Sequence, residues 1–417
     1  MLYIIHYYCK KNNMKQVSGI FILFFLLVRP LLPSSIELTP SSQISILTCS
    51  PGTELYSVFG HTAIRVTDPQ RKLDIVFNYG TFDFETPHFY RKFVKGRLNY
   101  MLSVSSYQAF EQVYIEEGRS IFEQKLNLTL TQKEELLDRL MVNYKPENRF
   151  YRYDFFFDNC ATRVRDIIVQ SLHDSLAFDT GSYHEQLSFR QLIDPYIRHM
   201  KWIDFGIDIL LGTLASRIAT PVEYMFLPDF ILDLFNHAYL PLDNGERQFI
   251  TSGVTTLYEA PPVVEGLSGS PGPAEILWGL LAIFGILTVI DIWRRKYTVW
   301  FDMVLFSLIG LFGWFLTLLW FGTDHLALNR NMNLLWAIPP FFPAGILLLR
   351  KKQAAVVTWF FNLASVILLG FLIAWPFIKE GFSPYLLPLV LTLFLRSSLY
   401  TFLGNKIIVN RSEQSTG

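Results

Sequence analysis

The hydrophobic pattern divides the chain into regions of different character. Residues 20–32 form a short apolar run that follows three lysines within residues 10–15 and ends at Pro33. A basic start, a short apolar run and a small-residue exit are typical of a secretory signal. We therefore predict a signal peptide or an uncleaved N-terminal anchor over residues 1–35. Either one exports the chain that follows.

Residues 36–240 mix charged, aromatic and turn-forming residues. They hold no apolar run long enough to cross a bilayer, so we predict a globular extracytoplasmic α+β domain. Residues 241–273 are rich in Pro, Gly and Ser, which favours a linker.

From residue 274 the chain becomes strongly apolar, and residues 274–404 predict an all-α bundle of about five transmembrane helices. The five apolar stretches are residues 274–292, 300–321, 334–349, 353–376 and 383–403. Most of them approach the roughly 20 residues that a helix needs to span the hydrocarbon core. Residues 405–417 are then predicted as a cytoplasmic tail.

The loop charges give these helices an orientation. Basic clusters lie at residues 294–296, at residues 350–352 and after the fifth stretch, at Lys406 and Arg411. Cytoplasmic loops carry an excess of Lys and Arg, so these alternate connections should be cytoplasmic. The first stretch then begins outside, on the side to which the globular domain is exported. We therefore predict a multi-pass membrane protein whose globular domain lies on the extracytoplasmic side.

The composition argues against several kinds of partner and site. Apolar residues make up 51% of the chain and charged residues 17%, which fits a membrane protein. The net charge is zero, so nothing indicates a nucleic acid as a partner. Cys9, Cys49 and Cys160 are too few for a disulfide framework, and no spacing of paired metal ligands occurs. We predict neither a metal nor a cofactor.

Residues 59–66 alternate and are rich in β-branched side chains, which predicts a strand entered through Gly60. A turn over residues 68–71 follows, and residues 72–78 predict the return strand.

The register of this hairpin brings two polar side chains together. If Thr67 pairs with Lys72, His61 lies opposite Asn78, and both side chains point to one face. An imidazole that faces an amide suits a general base held in one tautomer. Asp74 is the alternative third residue, but it lies two pleats away.

Residues 151–166 predict the start of a helix. Asp158 or Asn159 is a good N-cap, and apolar residues follow at helical spacing. Cys160 would lie in the first turn, where free N–H groups and the helix dipole favour a thiolate. Arg163 would add positive charge one turn later. We predict a thiol that ionises near neutral pH and acts as a nucleophile.

Simpler interpretations stay open at this point. A lone cysteine is usually a small core residue, and a lone histidine on a strand is usually structural. Cys49 and Cys160 could also form a disulfide in an oxidising compartment. The turn residues that follow Cys49 favour a structural role for it.

Taken together, these motifs resemble known proteins. A histidine that opens a strand, a polar residue on the next strand and a later cysteine that opens a helix follow the order of circularly permuted papain-like (NlpC-type) proteins. Lecithin:retinol acyltransferase and its relatives are similar to this plan. A closer resemblance is to the Lnb-type lipoprotein N-acyltransferases, in a Bacteroidetes-style form. The motifs that carry it are residues 47–52, 59–66, 77–84, 93–100 and 158–165.

The resemblance covers roughly residues 36–240 and implies a cysteine-dependent acyltransferase. It implies Cys160 as the nucleophile and His61 as its base, while Asn78 as the third residue comes from the register. A membrane phospholipid would be the acyl donor, and a thioester on Cys160 the intermediate. The acceptor would be the α-amine of a diacylglyceryl lipoprotein, and the kinetics would be ping-pong.

Further residues are candidate substrate contacts. Tyr56 is a candidate second donor to the tetrahedral oxyanion. The outward loop over residues 322–333 is dense in polar groups and is a candidate headgroup site, with a solvated loop as the alternative. The candidates for substrate binding are Tyr56, Arg163, Asp324, His325 and Asn329.

The apolar stretch over residues 205–238 predicts an interfacial surface or an acyl groove, and ordinary core packing is the alternative. Its apolar residues at helical spacing are Leu210, Leu211, Leu214 and Ile218.

Two rival functions use the same residues. A cysteine peptidase or amidase acting on peptidoglycan would have water as the acceptor, although it would not need five membrane spans. A non-catalytic membrane scaffold would leave the thiol inert.

Overall fold

The structure is a computed structural model that describes residues 37–262, 270–350, 355–378 and 382–414, with side chains described up to Tyr400. The predicted signal or anchor segment, residues 1–35, lies outside the described residues. The described chain forms two compact units. The first comprises residues 37–186 and 219–262, and the second comprises residues 187–218 and the chain from residue 270 onward.

A seven-stranded antiparallel sheet is the framework of the first unit, with the strand order β10-β5-β1-β2-β3-β4-β6. Its strands are β1 Gln43–Cys49, β2 His61–Asp68, β3 Leu73–Thr81, β4 Asn99–Ser106, β5 Ile121–Lys125, β6 Phe150–Arg152 and β10 Thr255–Tyr258. A small second sheet consists of β7 Ala177–Phe178, β8 Ala238–Pro241 and β9 Arg247–Phe249.

Helices cover both faces of the large sheet. Because side chains alternate along a strand, β2 contributes to two cores. Ala63 packs with the helix Tyr107–Glu117 on one face, whereas Ile64 and Val66 pack with the helices Leu130–Tyr144 and Cys160–Ser171 on the other. This arrangement confirms the predicted α+β class. The helices of this unit are α1 Phe89–Val94, α2 Tyr107–Glu117, α3 Leu130–Tyr144, α4 Cys160–Ser171 and α7 Pro228–Asn236.

The β2–β3 hairpin differs from its predicted register. Asp68 pairs with Leu73, so the predicted pairing of Thr67 with Lys72 is wrong. The Asp68 side chain accepts hydrogen bonds inside a short 3₁₀ turn, and Lys72 takes a left-handed conformation with φ 53°. The turn therefore lies one residue further along the chain than predicted, which changes each partner by two positions. A change of two leaves every side chain on its predicted face.

Residues 241–273, predicted as a linker, contain two of the strands. β9 pairs with β8, and β10 pairs with β5 at the edge of the large sheet, where Thr255 faces Glu123. Short strands joined by tight turns carry the same Pro, Gly and Ser residues as a linker, so composition alone did not separate the two.

The second unit is helical. Its helices are α5 Phe189–Ile197, α6 Lys201–Leu210, α8 Pro273–Arg294, α9 Val299–Gly322, α10 Phe341–Leu347, α11 Ala355–Ala374 and α12 Leu386–Gln414. Three helical segments in the described residues are long and apolar enough to cross a membrane: α8, α9 and Ala355–Phe377. The apolar part of α12, Leu386–Tyr400, is shorter than these.

The stretch over residues 334–349, predicted as the third span, is not one helix. It contains the end of a 3₁₀ turn, Met332–Leu335, and then the seven-residue α10. Two consecutive prolines, Pro339 and Pro340, separate them. Both lack the N–H that a continuous helix would use at these positions, and their rings would clash with the preceding turn. This segment packs closely against α9, where a Cβ on Gly313 would lie 2.0 Å from the carbonyl oxygen of Ala337.

A buried ion cluster joins three helices of the second unit. Arg396 of α12 donates to both oxygens of Asp302 on α9, at 2.6 and 2.7 Å, and to Asp291 on α8 at 2.7 Å. The Tyr400 hydroxyl donates to Asp302 at 2.7 Å, and the Thr298 hydroxyl donates to Asp291. Charged groups in an apolar bundle need such partners.

Candidate active site

The candidate site lies at one end of the large sheet. β2 begins there at His61, β3 ends there at Thr81, and α4 begins there at Cys160. The ladder between β2 and β3 extends only as far as the pair Ile64–Phe77, so the two strands separate at this end.

Cys160 enters the opening between the two strands. The backbone N–H groups of Thr62, the residue next to His61, of Ala161 and of Cys160 itself lie near the sulfur of Cys160 and favour its thiolate form. On the other side lies Gly80, whose φ is 87°. A Cβ on Gly80 would lie 3.6 Å from the Cβ of Cys160, so glycine suits both this left-handed backbone and the close approach.

The local sequence explains why α4 begins at Cys160. The side chain of Asn159 accepts hydrogen bonds from the N–H groups of Ala161 and Thr162, both at 2.9 Å. In return the hydroxyl of Thr162 accepts from the N–H of Asn159 at 2.8 Å, which completes a capping box. Of the two predicted N-caps, Asn159 is therefore the one that caps the helix.

The imidazole of His61 faces Asn78, as the predicted faces require. Nε2 of His61 lies 3.2 Å from Oδ1 of Asn78. With Oδ1 as the acceptor, Nε2 carries the proton and Nδ1 keeps its lone pair. The ring of Tyr114 from α2 stacks on the imidazole, with 6.3 Å between centroids and 18° between planes. These contacts hold the imidazole in one orientation and favour one tautomer.

Asp74, the alternative third residue, lies away from the imidazole. It pairs with Thr67 at the other end of β2. Its two oxygens accept from Arg65, both at 2.8 Å, and Arg65 also contacts Glu123 at 3.3 Å. Asp74 therefore belongs to an ion pair on the sheet, whereas Asn78 is the residue that hydrogen-bonds to His61.

Burial keeps both candidate catalytic groups neutral. Removal from water lowers the pKa of His61 to about 4, although the hydrogen bond with Asn78 opposes this change. Burial likewise raises the pKa of the Cys160 thiol, although the N–H group of Thr62 and those of the helix start oppose it. The prediction that the thiol ionises near neutral pH is therefore wrong. Desolvation raises the pKa of Cys160 by more than the N–H groups at the helix N-terminus lower it.

Arg163 is held by its own neighbours. Its guanidinium binds Asp158 at 2.5 and 2.8 Å and lies 3.6 Å from the centroid of the Tyr151 ring. Its charge is thus balanced by a carboxylate and packed on an aromatic face. These contacts support the start of α4, next to Cys160, rather than a free cation beside the thiol.

Arg119 is a cation near the site that the sequence did not indicate. It follows α2, is only 4% exposed, and its Nη1 donates to Glu117 at 2.8 Å. The guanidinium lies 4.7 Å from the centroid of the Tyr114 ring, the same ring that stacks on His61. The positive charge of Arg119 lowers the pKa of His61, in the same direction as burial and against the Asn78 hydrogen bond. Its effect is smaller than either of these two. No motif marks Arg119, because only the fold brings the end of α2 to the start of β2.

Cys49 is a buried thiol on the same face as His61, its partner across β1 and β2. Cys49 and Cys160 are both free, so the disulfide alternative is not present in this structure. Burial raises the pKa of Cys49 to about 12, against the opposing charge of Arg119. A thiol with this pKa is inert at neutral pH, which agrees with the predicted structural role.

Tyr56 lies in the turn before β2, with 59% of its surface exposed. Asp324, His325 and Asn329 lie in the second unit, after α9. The carbonyl oxygen of Asn329 is so close to Gly212 that a Cβ there would lie 1.7 Å from it. The structure thus places the predicted substrate contacts in different units.

The loop after α9 fixes the end of α6. Asn331 donates to the carbonyl oxygens of Ile209 and Leu210 at 2.8 and 2.9 Å, and Asn333 donates to that of Ile209 at 2.9 Å. Part of the polar character of this loop therefore serves to terminate a helix, which composition did not separate from substrate binding.

The predicted helical spacing over Leu210–Ile218 is not realised. α6 ends at Leu210, and Thr213–Ser216 form a 3₁₀ turn. The N–H of Gly212 donates to the carbonyl oxygen of Ala327 at 2.8 Å instead of continuing the helix. The apolar residues of this stretch therefore do not form one face of one helix.

Comparison with family models identifies both parts of the chain. The Lnb N-terminal periplasmic domain matches residues 37–193, and the Lnb transmembrane domain matches residues 266–407. Comparisons with curated proteins and with solved structures found no match. The two family matches cover well over half of the chain, in the predicted order of periplasmic part and membrane part. The chain therefore belongs to the Lnb family, as a membrane protein with a periplasmic domain that takes part in lipoprotein processing.

Proposed function

We propose that this chain is a lipoprotein N-acyltransferase. It moves a fatty acyl chain from a membrane phospholipid, through a thioester on Cys160, to the α-amine of diacylglyceryl-cysteine lipoproteins. The observation that best supports this proposal is the position of Cys160 at the start of α4, near the N–H of Thr62 and near Gly80, at the end of the sheet where His61 hydrogen-bonds to Asn78. The match of both units to Lnb domains supports the substrate class.

The first half-reaction transfers the acyl group to the thiol. Nδ1 of His61 accepts the proton of Cys160 while the sulfur attacks the ester carbonyl carbon. The carbon–oxygen ester bond then breaks, and the proton passes from His61 to the departing lysophospholipid oxygen. Since burial keeps thiol and imidazole neutral, the proton moves during the attack rather than before it.

The second half-reaction transfers the acyl group to the lipoprotein. The neutral α-amine attacks the thioester carbonyl carbon, and His61 accepts the proton that the nitrogen loses. The carbon–sulfur bond breaks, and the proton returns from His61 to the Cys160 thiolate. The free enzyme is regenerated after both products have left, which gives ping-pong kinetics.

Each tetrahedral intermediate carries a negative oxygen that needs donors. The backbone N–H of Cys160 is one candidate, because the Asn159 side chain caps the next two N–H groups of α4 and not this one. The hydroxyl of Tyr56 is a candidate second donor from the turn before β2.

The membrane part gives this chemistry access to its substrates. Both substrates keep their acyl chains in the bilayer, so a tethered thiol gains orientation that a diffusing enzyme would lack. We propose a multi-pass protein of the bacterial inner membrane, with Cys160 on the periplasmic side.

A trapped thioester tests the first half-reaction. The full chain in nanodiscs receives phospholipid without any amine acceptor, and the peptide that contains Cys160 is analysed by mass spectrometry. We expect one added acyl group that hydroxylamine removes. The Cys160→Ser variant, in which any adduct would be a hydroxylamine-resistant ester, is the control. An acyl group on Cys49 instead would contradict the proposal.

A diacylglyceryl lipopeptide with a free α-amine tests the second half-reaction. We expect the acyl group to move from Cys160 to the amine. Release of free fatty acid alone would indicate a hydrolase, and a thiol that never becomes acylated would leave the non-catalytic scaffold as the better account.

A further inference from the structure

Three connections of the first unit meet at the end of the sheet that holds Cys160. Residues 50–60 join β1 to β2, residues 82–98 join β3 to β4, and residues 153–159 join β6 to α4. The register places them together, because Cys49 faces His61 and Asn99 faces Arg152 at this end.

These connections carry large apolar side chains that are exposed rather than packed in a core. Their exposed fractions range from 36% for Phe157 to 78% for Tyr90. An exposed apolar surface of this kind marks an interaction site. The residues are Leu55, Tyr56, Phe84, Tyr90, Phe93, Val94 and Phe157.

Residues 82–97, here called the docking loop, present this surface on a fixed support. Phe89 at the start of α1 is buried, and its ring lies 4.9 Å from that of Phe84 and 5.8 Å from that of Phe82. Phe89 anchors the helix, and the Phe93 ring stacks on it at 6.3 Å. Tyr90 and Phe93 nevertheless stay 78% and 50% exposed.

The charges of the docking loop suit a surface of phosphate groups. Asp83 and Glu85 are its acidic residues, whereas the basic residues lie among the exposed rings of α1 and just after it. Aromatic rings at headgroup level with Lys and Arg beside them are typical of a bilayer interface. The basic residues are Arg91, Lys92, Lys95 and Arg97.

We propose that the docking loop binds the surface of a phospholipid bilayer, with Tyr90 and Phe93 in the interfacial layer and its basic side chains against lipid phosphates. The loop begins directly after β3, whose end forms one side of the opening that holds Cys160. As a route for acyl esters to the thiol, this role rests on the proposed function. The lipid contact itself needs no acyl transfer.

Fluorescence quenching in the full chain tests the contact. A bimane label is placed on Phe93→Cys, and separately on Val142→Cys in α3, in nanodiscs of phosphatidylcholine and phosphatidylglycerol with brominated acyl chains. Phe93 and Val142 are both 50% exposed, so they form a matched pair. We expect at least about threefold stronger quenching at position 93 than at position 142. Equal quenching overturns the proposal. Labelling of the unsubstituted chain gives the background from native thiols.

Two further variants identify what the loop binds. Replacing Lys92 and Lys95 together with Gln should reduce quenching at position 93 in the same nanodiscs by about twofold, and unchanged quenching would contradict the phosphate contact. A photocrosslinker at position 90 should capture lipid, and capture of lipoprotein polypeptide instead would overturn the proposal. Strong quenching without any Cys160 thioester would reject the proposed enzyme and keep the docking surface, whereas the reverse result would reject the docking surface alone.

Discussion

The two units bury polar groups in opposite ways. Around Cys160 the groups are a partly buried thiol and a partly buried imidazole, and the loss of water around them favours the uncharged form of both. Around Arg396 the buried groups are a guanidinium and the carboxyl groups of Asp291 and Asp302, joined by hydrogen bonds of 2.6–2.7 Å. The polar groups around Cys160 tolerate burial because they are uncharged. Those around Arg396 tolerate it because the opposite charges are paired.

This difference agrees with the function proposed for the first region. A group that exchanges a proton during a reaction needs an atom that is not already saturated, and Nδ1 of His61 keeps such a lone pair. The Arg396 cluster has no comparable reacting atom, and its hydrogen bonds join α8, α9 and α12. Neutral groups that keep a lone pair available indicate a reacting site, whereas charged groups that are hydrogen-bonded to one another indicate a structural role.

The largest expected effect comes from breaking the paired region. The Arg396→Met variant leaves two carboxyl groups buried without their cation, which should cost about 3–5 kcal/mol of unfolding free energy. Thermal unfolding of the full chain in nanodiscs would measure this loss. Adding Asp291→Asn and Asp302→Asn should restore part of it, because the uncompensated charges disappear. The matched control is Arg294→Met at an exposed helix end, where a loss as large as that of Arg396→Met would refute this account.

An intermediate effect comes from titrating the neutral region. His61 ionises near pH 6.5 in an unfolded chain and at about 4 in the fold, so the unfolded chain binds more protons between these values. Stability should therefore fall as the pH decreases from about 6.5 to about 4, by up to about 3 kcal/mol, and this contribution should be constant above that window. Pulse proteolysis of the first unit across this range would measure the slope. The His61→Gln variant should show a smaller slope, and an unchanged slope would assign the loss to other groups.

The smallest expected effect comes from the cation beside the neutral region. The Arg119→Met variant removes a charge that helps to lower the pKa of His61, so more imidazole is protonated in mild acid. Iodoacetamide labelling of Cys160 should slow by up to about threefold near pH 5, and by less at neutral pH, where only the rise in the thiol pKa acts. Arg119→Lys keeps the charge and should restore the original pH profile. Equal losses at all pH values in both variants would point to packing on Tyr114 instead of charge.

The sequence was sufficient for the residues whose signals are local. Cys160 follows a capping residue and opens an apolar stripe, and alternation along the strands places His61 and Asn78 on one face. His61 and Asn78 lie on the same face although the predicted register of β2 and β3 was wrong. The register differs by two residues, and side chains alternate between the faces with a period of two.

Features that depend on long-range contacts could not be predicted in this way. The ionisation of Cys160 depends on burial by distant segments, so the helix N-terminus alone gave the wrong direction. Arg119 reaches the site only because α2 packs beneath β2. The sequence pattern predicts that residues 187–218 belong to the globular domain. In the structure they instead form a compact unit with the chain from residue 270 onward.

The edge strand β10 has a consequence for biogenesis. It completes the large sheet beside β5, and α8 begins only a short stretch later, at Pro273. The sheet can therefore be completed only after almost all of the chain that precedes α8 has been synthesised. Completion of the sheet and the start of the helical C-terminal part thus depend on the same short length of chain.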